Sequence, residues 1–242
     1  FNINNVVRLP DNIFQNVKAE TIVLIASKQR EKTECILYNR NDLIFEISNT
    51  NCNEIKTLDS KEWKKNDSSV FDIFSNEAEK RLIKKIEKDK TELVKLCDFT
   101  LGITPYDKYK GHTQEQIKGK VFHATYKKDN TFKPLLDGAN VKRYLVSWGG
   151  EKYISYGDWL GAPREKRFFI KPRVLVRQIV SGNPPRIFAG YTEEELYNTQ
   201  TIFNLVSKDE KVLSTKYLLA LMNSNLMNFY HGHKYLDLSK NL

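Results

Sequence analysis

The chain has 242 residues, 40% of them hydrophobic, and a formal net charge of +9, enough for one substantial core or one core with an appended segment. No run approaches the roughly 18 to 20 apolar residues of a membrane helix, and Phe1-Asn2-Ile3-Asn4-Asn5 has neither the charged lead nor the apolar stretch of a signal peptide, which predicts a globular cytoplasmic protein with no membrane partner. Cys35, Cys52 and Cys97 are far apart and lack a CxxC or Cys/His cluster, so they read as reduced core residues and not as zinc or redox chemistry.

In chain order, residues 1–58 read as β-rich. Thr21-Ile22-Val23-Leu24-Ile25-Ala26 is a continuous, partly β-branched apolar run of the kind found in a sheet covered on both faces. Cys35–Tyr38 and Leu43–Ile47, separated by the turn residues Asn39-Arg40-Asn41-Asp42, predict a hairpin. Three such strands make no stable domain unaided and read as the edge of something larger. The opening at Phe1 and the close at Asn241-Leu242 both read as cut ends. Residues 59–75 are polar and aperiodic and fit a linker, with Trp63 and Phe71 as anchors. A helix is expected from about Ser75, followed by acidic Glu77 and Glu79, with Leu82, Ile83, Ile86, Leu93, Val94 and Cys97 at helical spacing. Its lysines are offset by acids and coat a solvated face.

From Phe99 onward short strands alternate with turns: Tyr153–Tyr156, Val174–Val180, Arg186–Ala189 and Thr201–Val206. Ser181-Gly182-Asn183-Pro184-Pro185 joins the middle two as a rigid hairpin tip. A helix over 214–230, capped by Ser214, carries the apolar stripe Tyr217, Leu218, Leu221, Met222, Leu226 and Phe229. The fold class predicted is α+β, a mixed β-rich domain at 76–242 with flanking helices.

Charge is concentrated in the middle of the chain. Residues 98–190 carry 17 Lys and Arg against 8 Asp and Glu, whereas the flanking stretches are nearly neutral. A basic surface of this kind suits a polyanion, bound with a salt-dependent affinity. Within it, cations lie beside rings in Lys142-Arg143-Tyr144, Arg164-Glu165-Lys166-Arg167-Phe168-Phe169 and Lys171-Pro172-Arg173, and Arg177 and Gln178 point to opposite faces of their strand. Lys serves as a point charge for phosphate, Arg forms a bidentate pair with guanine and Gln with adenine. The candidate DNA-binding residues are therefore Lys142, Arg143, Arg164, Lys166, Arg167, Lys171, Arg173, Arg177 and Gln178. His231-Gly232-His233 lacks a third metal ligand, and no Gly-x-Ser-x-Gly, HExxH or phosphate-cradling loop occurs.

These residues carry a resemblance. Leu9–Ile25, with its Phe-x-x-Val-x-x-Thr pattern leading into a strand, resembles the last strands of a class I adenine-N6 DNA methyltransferase domain. Leu96–Tyr106, Lys171–Gln178, Tyr197–Leu205 and Tyr217–Ser224 resemble the opening, central strands and helix of a TaqI-like C-terminal specificity domain. The resemblance implies the C-terminal part of an adenine-specific DNA methyltransferase or type IIG restriction-modification enzyme, divided here at 1–58 (end of the catalytic domain), 59–75 (linker) and 76–242 (target recognition). It implies double-stranded DNA and an upstream methyltransferase core of the same polypeptide as partners. S-adenosylmethionine is the cofactor of the full-length parent, with none bound by this chain. Asn183-Pro184-Pro185-Arg186 imitates that family's Asn/Asp-Pro-Pro-aromatic tetrapeptide, but Arg186 supplies no ring to stack on a flipped adenine, so no catalytic residue is assigned. Two other readings stand beside a recognition module that is inactive alone: a methyltransferase fragment working through Asn183, and a protein-interaction scaffold docking through helix 214–230.

Overall fold

A computed structural model of the chain describes residues 2–11, 13–14, 19–28, 32–39, 52–65, 71–73, 76–182 and 185–235. It divides into two units, Phe1–Lys85 and Ile86–Leu242, and the architecture is α+β, as the patterning predicts. Among the described residues no helix is long and apolar enough to cross a membrane.

In the first unit β1 (Asn2–Arg8), β2 (Ile22–Ser27), β3 (Thr33–Leu37) and β4 (Glu54–Leu58) form one sheet in the order β2-β1-β3-β4. β1 and β3 run parallel, with Val6 opposite Cys35 and Val7 opposite Ile36, while the outer pairs are antiparallel. Successive side chains of a strand face opposite ways, and both central strands are apolar on both faces. Val6, Cys35 and Leu37 pack with Trp63 and Ile73 on one side, and Val7, Ile36 and Tyr38 pack with Leu9 on the other. Trp63, expected as an anchor, is buried and donates its indole N–H to the Asp72 carbonyl at 3.2 Å.

The run at 21–26 does form a strand, but not one covered on both faces. β2 is an edge strand, and Ile22, Val23, Leu24 and Ile25 are 37–53% exposed. Apolarity records a tolerance for burial; centrality is set by pairing, and here β1 and β3 pair with each other. The strand expected at Leu43–Ile47 and most of its turn lie outside the described residues. β3 instead has β4 as its antiparallel neighbour, a stretch too polar to stand out in sequence.

α1 (Glu77–Glu87) opens on a reciprocal cap in which the Asn76 side chain accepts from the Glu79 N–H and the Glu79 carboxylate accepts from the Asn76 N–H, both at 2.9 Å. The residue proposed as its cap, Ser75, lies outside the described residues. The helix does not continue to Cys97. Asp89 adopts a left-handed φ of 55°, a conformation Asp tolerates better than most residues, and the chain resumes as α2 (Leu93–Leu96), with Cys97 already in β5 (Cys97–Leu101).

The second unit continues with α3 (Gln114–Lys118), β6 (His123–Ala124), β7 (Phe132–Leu136), β8 (Val141–Lys142), β9 (Leu145–Val146), β10 (Tyr153–Ser155), α4 (Arg167–Ile170), β11 (Arg173–Arg177), β12 (Ala189–Thr192), β13 (Tyr197–Asn198), β14 (Ile202–Ser207), α5 (Thr215–Met222) and α6 (Asn225–Tyr235). One sheet has the order β12-β11-β14-β5, a second β13-β7-β10-β6, and β8-β9 is a separate ribbon. β11 is central and apolar on both faces: Val174 and Val176 pack with Ala189, Leu213 and Leu218, and Leu175 packs with Leu136, Val141, Leu196 and Ile202.

The hairpin predicted between β11 and the next strand is present, but its second strand begins at Ala189 instead of Arg186. The Ile187 N–H is taken by the Asn228 side chain of α6 at 2.7 Å, so the ladder starts later. The tip is closed by a Ser181–Arg186 pair at 2.9 and 3.3 Å. Ser214 caps α5 as expected, accepting from the Tyr217 N–H at 3.1 Å, yet the helix over 214–230 is two helices. The buried Asn223 amide accepts from the Ala189 N–H at 3.3 Å and donates to the Ala189 and Leu219 carbonyls at 2.9 and 3.1 Å, ending α5. Ser224 then caps α6.

Two local arrangements fix the end of the sheet at which Gly102 lies. A Cβ on Gly102 would stand 2.1 Å from the Thr199 carbonyl oxygen and 2.2 Å from that of Asn198, so only glycine lets β5 pass this turn. Beyond it, Tyr106 stacks on Phe122 and His123 with ring centroids 5.2 and 5.7 Å away. Its hydroxyl accepts from the Phe122 N–H at 3.0 Å and shares a hydrogen bond with His123 Nδ1 at 2.9 Å. Burial holds the His123 pKa below the ordinary value of 6.5, helped by Lys120 and opposed by Asp137.

Gly102→Ala is expected to cost about 3 kcal/mol or more, because backbone and not a flexible side chain must yield. A melting temperature within a degree of the parent chain's would refute the crossing. Because the folded pKa of His123 is depressed, its contribution is intact above the unfolded value of 6.5 and is lost as pH falls through the folded pKa. His231, buried and shifted in the same direction, adds to the loss. Melting between about pH 7.5 and 5 should therefore fall with acid, and His123→Gln should flatten part of that fall. An unchanged slope in this variant would exclude His123 from it.

Candidate nucleic-acid interface

Hydrogen bonds run as a row across one end of the four-stranded sheet. The Tyr144 N–H donates to the Ala189 carbonyl on β12 at 2.7 Å, Val176 of β11 stands opposite Ala189, Arg177 stands opposite Ile202 of β14, and Gly102, just past β5, donates to the Ile202 carbonyl at 3.1 Å. Arg164 then approaches the Gly102 carbonyl with Nε at 3.4 Å. Three strand spacings separate β12 from β5, about 14 Å. Lys142 and Arg143 thus stand at one edge of the row, Arg164 at the other, and Arg177 with Gln178 between them.

Each side chain in the row has a definite setting. Lys142 is exposed at the end of β8. Arg143 is exposed, its guanidinium 5.5 Å from the Tyr144 ring, and donates from Nη2 to the Asn223 carbonyl at 2.9 Å, a favourable cation at the C-terminus of α5. The turn carrying it crosses β12 closely: a Cβ on Gly190 would stand 2.6 Å from the Leu145 carbonyl oxygen. Arg164 is exposed with a left-handed φ of 64°, and its carbonyl accepts from the Tyr156 hydroxyl at 2.8 Å. Arg177 is half-buried against Phe188, its guanidinium carbon 5.1 Å from the ring centroid. Gln178 is exposed, its N–H bound to the Thr201 carbonyl at 2.9 Å.

The other candidates lie toward the opposite end of these strands, since Arg173 precedes Arg177 by four residues, about 13 Å along β11. Lys166 and Lys171 are exposed there. Arg167 is held by Asp98 at 2.6 Å and Glu165 at 2.8 Å and lies 4.4 Å from the Phe168 ring centroid. The two carboxylates, Glu165 first, push its pKa up, and Arg167 in turn holds Asp98 below the carboxylate range. Its charge is spent within the fold, tying α4 to β5. Arg173 has no exposed surface: its guanidinium donates to the Lys171, Glu194 and Leu196 carbonyls at 3.0, 3.0 and 2.7 Å. Burial pulls its pKa down to about 10, which leaves it charged at neutral pH. The surface role expected of Arg173 from its place in a basic run gives way to a structural one, because residue 173 shares the Leu175 face and that face is covered.

Two members of the same end escaped the sequence reading. Gln200 is exposed and donates from Nε2 to Thr104 Oγ1 at 2.6 Å, and Thr201 is exposed beside it. Their signal was the Tyr197-Asn198-Thr199-Gln200 stretch, noted as a strand and not as a polar turn. Asn183 and Pro184 of the tetrapeptide lie outside the described residues. Among the described residues no group of three or more His, Cys, Asp or Glu could hold a metal ion.

Residues 1–115 match the family described as N-6 DNA Methylase, and residues 133–241 match the TaqI-like C-terminal specificity domain. No curated protein matches the chain. The two matches follow one another along the chain, and together they support an adenine-N6 DNA methyltransferase fragment with a TaqI-like C-terminal specificity domain.

Proposed function

We propose that the row of Lys142, Arg143, Arg177, Gln178 and Arg164, with Gln200 beside it, is the surface with which this chain reads double-stranded DNA for a methyltransferase core of the same polypeptide. The observation that carries this reading is the placement of exposed cations at both edges of one sheet end with exposed amides between them. The span of about 14 Å is comparable to a major groove about 12 Å wide, so edge cations can meet phosphates while Gln178 and Gln200 reach base edges. Lys166 and Lys171, exposed at the far end, are proposed as outlying phosphate contacts. The division proposed is the one read from sequence: 76–242 for recognition, 1–58 for the end of the catalytic domain, and 59–75 joining them, in a cytoplasmic protein.

The parent is proposed to use S-adenosylmethionine, but the residues in hand do not fit it. Residues 1–101 contain no glycine, whereas a strand-to-helix turn that admits a cofactor close to its backbone depends on glycine. The chain is accordingly proposed to be inactive alone, its methylation supplied by the core. Of the stripe on which the scaffold reading stands, Leu218 has no exposed surface and packs against β11 and β12, while Tyr217 and Leu226 are exposed, so the stripe is not one continuous free face.

If this reading holds, a randomised duplex library selected on the full chain enriches one motif, and Gln178→Ala or Gln200→Ala relaxes a single position of it by about 1–3 kcal/mol without altering the salt slope. An unchanged motif in both variants would remove the glutamines from base reading. Titration calorimetry with S-adenosylmethionine is expected to give no heat at micromolar concentrations; saturable micromolar binding would overturn the inactive assignment.

A further inference from the structure

The segment from Thr104 to Lys128 carries six lysines against two acids, and residues 116–128 of it fall between the two family matches. Lys108, Lys110, Lys118, Lys120, Lys127 and Lys128 are all exposed, and among the described residues none has an ion pair. Asp107 and Glu115 are the two acids of the segment, and the Asp107 carboxylate accepts from the Tyr109 N–H at 2.9 Å. Tyr109 is 86% exposed, more than any other large apolar side chain described, and Tyr126 is 63% exposed. Lys108 lies 4.8 Å from the Tyr109 ring centroid, and burying a tyrosine ring is favourable while leaving it in water is not, so two such rings among cations without ion pairs mark a surface that a flat, anionic partner would cover.

The segment is held in place. The Thr113 side chain and Gln116 form a reciprocal cap on α3. His112 accepts from the Asp107 N–H at Nδ1, 2.8 Å, and reaches the Trp159 carbonyl with Nε2 at 2.8 Å. The Tyr106 stack joins residues 106–112 to β6, the edge strand of its sheet. Both basic turns, 107–112 and 125–128, therefore leave from one anchored corner. That corner is close to the proposed reading surface: Thr104 holds Gln200, and Lys108 follows four residues on, within about 15 Å of chain.

Resting on the DNA-reading surface proposed above, we infer that the β6 corner, with Lys108, Lys110, Lys120, Lys127, Tyr109 and Tyr126, is a second, sequence-independent contact for the phosphate backbone of the same duplex. Lysines on turns suit phosphate, for which a point charge on a flexible stem suffices, and the tyrosines cover sugar and exposed base faces at the margin. The corner adds grip and salt dependence, and the glutamine-bearing row supplies discrimination.

The test uses the full chain and a random-sequence duplex of about 30 base pairs, with anisotropy read between about 50 and 300 mM salt. Replacing Lys108, Lys110, Lys120 and Lys127 together by Gln is expected to lower the magnitude of the salt slope by about 2 to 4 and to weaken binding about 10- to 100-fold at moderate salt, for every duplex alike. Tyr109→Ala with Tyr126→Ala should weaken binding while leaving the slope in place. A quadruple variant that melts like the parent and keeps its slope overturns the corner contact and leaves the reading surface standing. A parent chain that does not bind the duplex overturns both. Loss confined to anionic phosphatidylglycerol vesicles, with duplex binding intact, also overturns the corner contact, by assigning the lysines to a lipid surface.

Discussion

The passage of β5 beneath the Asn198–Thr199 turn is the constraint on which the polar end of the second unit depends. Gly102 comes so close to two carbonyl oxygens that no side chain fits, and the approach is secured from both sides. The Ile103 N–H donates to the Asn198 carbonyl at 2.8 Å, and the Asn198 amide donates to the Thr199 and Ile202 carbonyls at 3.0 and 2.8 Å. With that turn fixed, Gln200 is directed to Thr104, Thr201 to the Gln178 N–H, and the Gly102 carbonyl toward Arg164. Six residues from four separate stretches of chain thus share one neighbourhood because one backbone lacks a Cβ.

Elsewhere in the second unit the buried Arg173 and Asn223 make up for short strands. Its strands are two to six residues long, and short strands leave carbonyls that no neighbour can reach, although a buried backbone group left unpaired costs about 1–3 kcal/mol. Side chains take over the missing ladder bonds. Arg173 satisfies three carbonyls between β11 and the 194–196 turn, and Asn223 pairs both backbone groups of Ala189 while ending α5. Such residues are costly to lose because the partners would remain, buried and unpaired. The same logic explains why a basic run in the sequence holds one arginine for the interior and another, Arg167, whose two carboxylates fasten α4 to β5.

Elements with strong local signals were legible in sequence. The Ser214 cap, the β11–β12 hairpin and the strand at 202–207 follow from capping chemistry, turn residues and apolar runs, and the structure contains all three. What sequence did not carry was long-range. The apolar run at 22–25 lies at an edge because β1 and β3 pair with each other, a choice made between segments 30 residues apart. The break at Asn223 depends on Ala189, and the late start of β12 on Asn228. For the interface the same division holds: cationic residues could be counted, but Arg173 and Arg177, equal in type and four apart on one strand, separate into interior and rim only when the covering layer is known. Gln200 has no signal of its own in a stretch that reads as a strand, and the lysines at 108–128 add to the basic middle of the chain without an apolar pattern that would bring them together.

Screening limits the self-repulsion of a chain with a surplus of nine positive charges. At physiological salt the screening length is about 8 Å, shorter than the 14 Å or so between the two edges of the sheet end. The two edges therefore hardly oppose one another, whereas neighbours such as Lys142 and Arg143, or Lys127 and Lys128, still do. A phosphate brought within contact distance of one of them lies inside that length and is attracted in full. Exposed cations without an acidic neighbour therefore keep their charge for a partner, whereas Arg167, within 3 Å of two carboxylates, has already used its own.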